Sequence, residues 1–118
     1  MLPIEVTDSG VVIIRLRADL DIIGRSTAAV AIDGYLTAHR TAPVVLELTH
    51  APIGAAALST VVRAHHMCRQ AGRPMAVVAA DPEVRRTLEA HAVTEAPAVH
   101  DSLERALSDL RTPLPAAA

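Results

Sequence analysis

Three short stretches of the chain are almost wholly apolar, and each precedes a longer one in which apolar residues recur every three or four positions. The first, Val11-Val12-Ile13-Ile14-Arg15-Leu16-Arg17, is β-branched, passes into alternation and follows the turn signal Asp8-Ser9-Gly10. With residues 3–7 ahead of that turn, it predicts an opening β-hairpin. The other two, residues 43–48 (PVVLEL) and 75–79 (MAVVA), lack a polar face. Such runs predict strands covered on both sides, as in a largely parallel sheet.

Between them the period is helical. From Ser26 to Ala38 the apolar set Ala29, Ile32 and Leu36 defines one stripe. A second runs through Leu58, Val61, Val62, His65, Cys68 and Ala71, with Gly72 placed as a C-terminal cap. Residues 82–88 predict a third helix, with Asp81 as N-cap and Pro82 at the first position. Residues 101–107 (DSLERAL) begin a fourth, preceded by a short strand at Ala98-Val99-His100. Strands alternating with helices give an α/β sheet. Residues 1–111 are expected to form a single domain and residues 112–118 a disordered tail.

Composition narrows the core and the partners. In 118 residues the hydrophobic fraction is 51%, but Tyr35 is the lone aromatic, so Val, Ile, Leu and Ala must fill the interior. Cys68 is the sole cysteine, which excludes an internal disulfide and a multi-cysteine zinc site. A net charge of −2 gives no reason to expect nucleic acid or an anionic membrane. All 11 basic residues are Arg; the absence of Lys, Asn and Phe beside abundant Ala suggests a GC-rich bacterial genome. No apolar run approaches the roughly 20 residues needed to span a bilayer, and no signal peptide is visible, so a cytoplasmic location is expected.

Catalysis finds little support. His65 and His66 are adjacent, so on a helix they diverge by about 100° and cannot share an ion. His65 and Cys68 can face the same way, but they lie on the apolar stripe and read as core residues, so no metal site is expected. Asp19 and Asp21 flank Leu20 with no nucleophile or histidine fixed beside them in sequence, which reads as capping or partner contact. Gly24, Gly34 and Gly54 match no phosphate-binding fingerprint. Glu83, Arg85, Arg86 and Glu89 form an ordinary solvated helix face. The expectation is a non-enzymatic protein without a cofactor.

The order and spacing of several motifs resemble the STAS domain family, of the bacterial anti-sigma factor antagonist type. Ala18-Asp19-Leu20-Asp21 stands where that family usually reads Gly-Glu/Asp-Leu-Asp, and Val44-Val45-Leu46-Glu47-Leu48 resembles its central strand. Leu58 to Gly72 resembles its second helix, and residues 81–88 and 101–107 its last two helix starts. The resemblance implies a mixed sheet, an opening hairpin then parallel strands, backed by about four helices. It also implies partner switching. The antagonist binds an anti-sigma factor, usually a serine kinase of the histidine-kinase-like ATPase fold, and that kinase ends the interaction by phosphorylating a serine in an Asp-Ser-Ser/Thr-Gly-Leu motif. A homodimer is compatible with this scheme.

Aligned on Leu58, that motif here reads Gly54-Ala55-Ala56-Ala57-Leu58. Ala55 and Ala56 occupy the acceptor positions, so the switch is expected to be lost while the loop remains a contact surface. The partner-binding set implied by the resemblance is Asp19, Asp21, Ile22, Gly24, Ile53, Gly54, Ala55, Ala56, Ala57, Leu58 and Ser59. Ser59 and Thr60 are the alternative acceptors. Two other roles fit the same resemblance: a STAS module of a transporter-associated or stress-sensing complex, and a sensor binding a small ligand or nucleotide near this loop.

Overall fold

The computed structural model describes residues 3–90 and 98–111. The expected tail at 112–118 lies outside them. The chain runs β1 (Ile4–Val6), β2 (Val12–Arg17), α1 (Ile22–Ala38), β3 (Val44–Thr49), α2 (Ala55–Gln70), β4 (Met75–Ala79), α3 (Pro82–Ala90), β5 (Ala98–His100) and α4 (Leu103–Arg111). The five strands lie in sequence order in one sheet; β1 pairs antiparallel with β2, and every later pair is parallel. This is the mixed sheet that the resemblance implies, with the parallel strands that the apolar runs predict.

The topology also decides where the helices go. Each crossover advances by one strand in the same direction, and parallel crossovers share one hand, so α1, α2 and α3 fall on the same face. On that face Val12, Ile14 and Leu16 of β2 and Val44, Leu46 and Leu48 of β3 meet Ile32 and Leu36 of α1, Val61 and Cys68 of α2, and Val84 and Leu88 of α3. The alternate residues Ile13, Val45, Ala76 and Val78 point the other way, against Ala106 of α4. Ile13, Ile14, Val45 and Val77 are at most 1% exposed. Each such side chain contributes about 1.5–3 kcal/mol through burial. Where α4 does not reach, the second face is polar: Arg15 bridges Glu47 at 2.8 Å and Glu5 at 3.2 Å.

Two boundaries shift from the periodic reading. Helix α1 begins four residues before Ser26, because Ile22 and Ile23 face solvent and do not extend the buried stripe. Helix α2 begins at Ala55, and its buried face is Ala57, Thr60, Val61, Ala64 and Cys68. Val62 is 45% exposed and His65 is half-buried, so the predicted stripe was rotated by about one residue. Alanine supplies no bulk by which to choose between neighbouring faces.

The C-terminal helix ends are closed within the chain. Gly72, at φ 68°, lets its own N–H reach Arg69 O (3.0 Å) and the N–H of Arg73 reach Cys68 O (2.8 Å), completing a Schellman cap on α2. The buried Arg73 side chain then crosses to α1, donating from Nη1 to Leu36 O (2.8 Å) and from Nε to Ala42 O (3.0 Å).

Candidate functional site

The loops after β2 and β3 run side by side, and their backbones hold the site together. The N–H of Ala18 donates to Thr49 O (2.7 Å), and the N–H of Gly54 returns to Ala18 O (2.9 Å). These bonds bring residues 18–21 against residues 49–54 and set the first turns of α1 and α2 next to each other.

In the first loop the two carboxylates have separate tasks. Asp19 receives Arg17 at both oxygens, from Nε at 2.8 Å and Nη2 at 2.9 Å. The guanidinium holds the Asp19 carboxyl down to about 2. Asp21 caps α1, its Oδ1 accepting the N–H of Gly24 at 2.7 Å. Leu20 folds back over that turn; a Cβ on Gly24 would come within 2.7 Å of its Cδ1. Ile22 and Ile23 stand 71% and 81% exposed beside it.

The second half of the site corrects the sequence expectation. Gly54 to Ala57 is not a loop: Gly54 is the N-cap and the alanines form the first turn of α2. Ala55 is exposed, but Ala56 is 7% and Ala57 0% exposed, because their methyls face the domain. Ile53 and Leu58 are half-buried and pack against the main core. As a contact surface the alanine run is therefore reduced to Ala55 and the edge of Ala56. Thr60 is 3% exposed with its hydroxyl donated to Ala56 O (2.8 Å), so it is not available as an acceptor. Ser59 is exposed; its hydroxyl donates to Ala56 O (3.1 Å) and accepts from Arg25 Nη1 (3.4 Å).

What these residues enclose is a shallow groove of about 450 Å³ between Leu20, Asp21, Ile22, Ile23, Ala55 and Ala56. Apart from Asp21 its walls are apolar. Gly54 offers no side chain to the first turn of α2, so the helix has no side-chain cap. The arrangement has no nucleophile with a base beside it. Among the described residues no group of three or more His, Cys, Asp or Glu is placed to hold a metal ion. Cys68 is fully buried, which pushes its thiol pKa up.

Sequence reasoning missed two residues here. Arg25, exposed on α1, reaches across to Ser59. His50 follows β3 at φ 65°, a left-handed backbone that costs a non-glycine residue about 1–2 kcal/mol. Histidine is one of the few residue types enriched there, which was the only available signal. His50 also lines a separate groove of about 840 Å³ with Glu47, Asp81 and Asp101. A nucleotide phosphate entering that groove would meet three carboxylates.

With this geometry in view, the family is defined. The STAS domain family matches residues 3–106, and the chain belongs to it. The fold is similar to that of a putative anti-sigma factor antagonist from Thermotoga maritima, with a TM-score of 0.77 at 20% identity, covering 94% of this chain and 95% of that one. It is also similar to a serine-to-glutamate variant of RsbS from Moorella thermoacetica (TM-score 0.74, 14% identity, 92% and 93% covered). The unphosphorylated anti-sigma factor antagonist SpoIIAA gives a TM-score of 0.70 at 14% identity, with 96% and 100% covered. No curated protein matches the chain. Among the described residues no helix is long and apolar enough to cross a membrane.

Proposed function

We propose that the chain is a non-enzymatic anti-sigma factor antagonist that binds an anti-sigma factor of the kinase-like ATPase fold and lacks the usual serine switch. Family membership and the antagonist structures of similar fold support the regulatory reading. The observation that carries the rest is the surface at the starts of α1 and α2. Ile22 and Ile23 stand in water beside an alanine turn with no hydroxyl and no side-chain cap. Large exposed apolar side chains at one place mark a contact surface. The contacting residues are Asp19, Ile22, Ile23, Gly54, Ala55 and Ser59, with Asp21 and Gly24 shaping the turn that presents them.

Loss of the switch is tested by incubating the protein with its anti-sigma kinase and ATP. The mass should stay unchanged. Stoichiometric phosphate on Ser59 would instead show that the acceptor has moved one turn along α2.

A further inference from the structure

At the opposite end of the α1–α2 pair from the proposed contact surface lies a groove of about 410 Å³, lined by Leu36, Thr37, Arg40, Met67, Ala71 and Arg73. Two of these six are arginines and none is acidic. Arg73 is 7% exposed, and its charge has no carboxylate within ion-pair distance among the described residues. Two of its nitrogens are used on Leu36 O and Ala42 O, while Nη2 is buried with no acceptor. A buried guanidinium donor is rarely left this way, because the group carries full charge and a fixed fork of N–H donors. Arg40 stands exposed at the mouth.

From this geometry we infer a binding site for a small amphiphilic carboxylate: an anionic head held by Arg73 and Arg40, with a short hydrocarbon chain lying on Leu36, Met67 and Ala71. The head group is chosen by charge, since guanidinium and carboxylate are matched donors and acceptors. The chain is chosen by the apolar walls, and the volume falls within the range of small-ligand sites. Met67 is half-buried and unbranched, a side chain that adapts its shape to what lies against it.

The test uses the whole chain with hexanoate, acetate and hexan-1-ol as probes, followed by NMR at the Arg73 Nε–Hε and Met67 methyl signals. Hexanoate should shift both saturably with a dissociation constant of about 1 mM or tighter, and the other two should bind at least about tenfold more weakly. Arg40→Ala, at an exposed position, should weaken hexanoate by about tenfold with unchanged thermal stability. Arg73→Lys, which keeps the charge but loses the fork, should weaken it as well. Equal affinity for hexanoate and hexan-1-ol would overturn the anionic site, as would an Arg40→Ala variant that binds like the parent. The absence of any saturable shift would also overturn it.

Discussion

The two ends of the α1–α2 pair are built in opposite ways. Where the helices finish, the chain caps its own backbone: Gly72 turns the chain, and Arg73 carries its charge from the α2 cap to the last turn of α1. Where they start, α1 has Asp21 as its cap, but α2 has only Gly54, and Ile22 and Ile23 are left in water. The backbone is capped by the chain's own groups at one side and, at α2, left uncapped beside exposed apolar side chains at the other. Arg73 ties the two helices together at the first, closed end; the second, open end is the one that we propose a partner covers.

That contrast can be broken from either side. The largest effect is expected at the closed end. Arg73→Ala removes a buried guanidinium and takes its donors from one carbonyl in the last turn of α1 (Leu36) and one in the loop that follows (Ala42), which should destabilise the fold by about 3 kcal/mol. Denaturant unfolding checks this; a loss near the few tenths typical of surface sites would show that Arg73 is not the clasp.

At the open end the same kind of change should help. Gly54 has extended backbone (φ −102°), and the nearest atom to a Cβ there is 3.9 Å away. Gly54→Ser should therefore supply the missing cap and raise stability by a few tenths of a kcal/mol, seen as a small rise in Tm. A fall in Tm would mean that the α2 N-terminus is already satisfied.

The smallest effect concerns Asp19. Its carboxyl is held down to about 2 by Arg17, so the pair is intact above the ordinary aspartate range and is lost as pH falls through about 2. Both partners are exposed to solvent, so little stability rides on the pair. Carboxyl NMR should place its midpoint near 2 in the parent and near the ordinary aspartate value of 3.8 in Arg17→Ala. An unchanged midpoint would remove Arg17 as the cause.

Much of the fold was legible because its signals are local. The apolar runs at 43–48 and 75–79, the turn at Asp8-Ser9-Gly10 and the Asp81-Pro82 helix start each produce the element they predict. Gly72 caps α2 as its position suggests. The site was less legible, for two reasons. Alanine-rich turns carry no polarity to mark inside from outside, so the burial of Ala56, Ala57 and Thr60 appears only once α2 is docked on the sheet. The Arg25–Ser59 and Arg73–Leu36 bonds join residues more than 30 positions apart, which no local pattern encodes.

The central claim, that the open end is the partner surface, is tested most directly at Ala55. Ala55 is the exposed residue of the alanine turn, which makes it a better probe than the buried Ala56. A glutamate there places a carboxylate at the start of α2, where it should favour the fold by about 0.3–1 kcal/mol. In an interface the same carboxylate must lose its water. Calorimetric titration of parent and Ala55→Glu against the purified anti-sigma factor separates the two equilibria. The account predicts a Tm equal to or above the parent's and binding weakened at least about tenfold, or 1.4 kcal/mol. Equal affinity in the two proteins would place the interface elsewhere and contradict it.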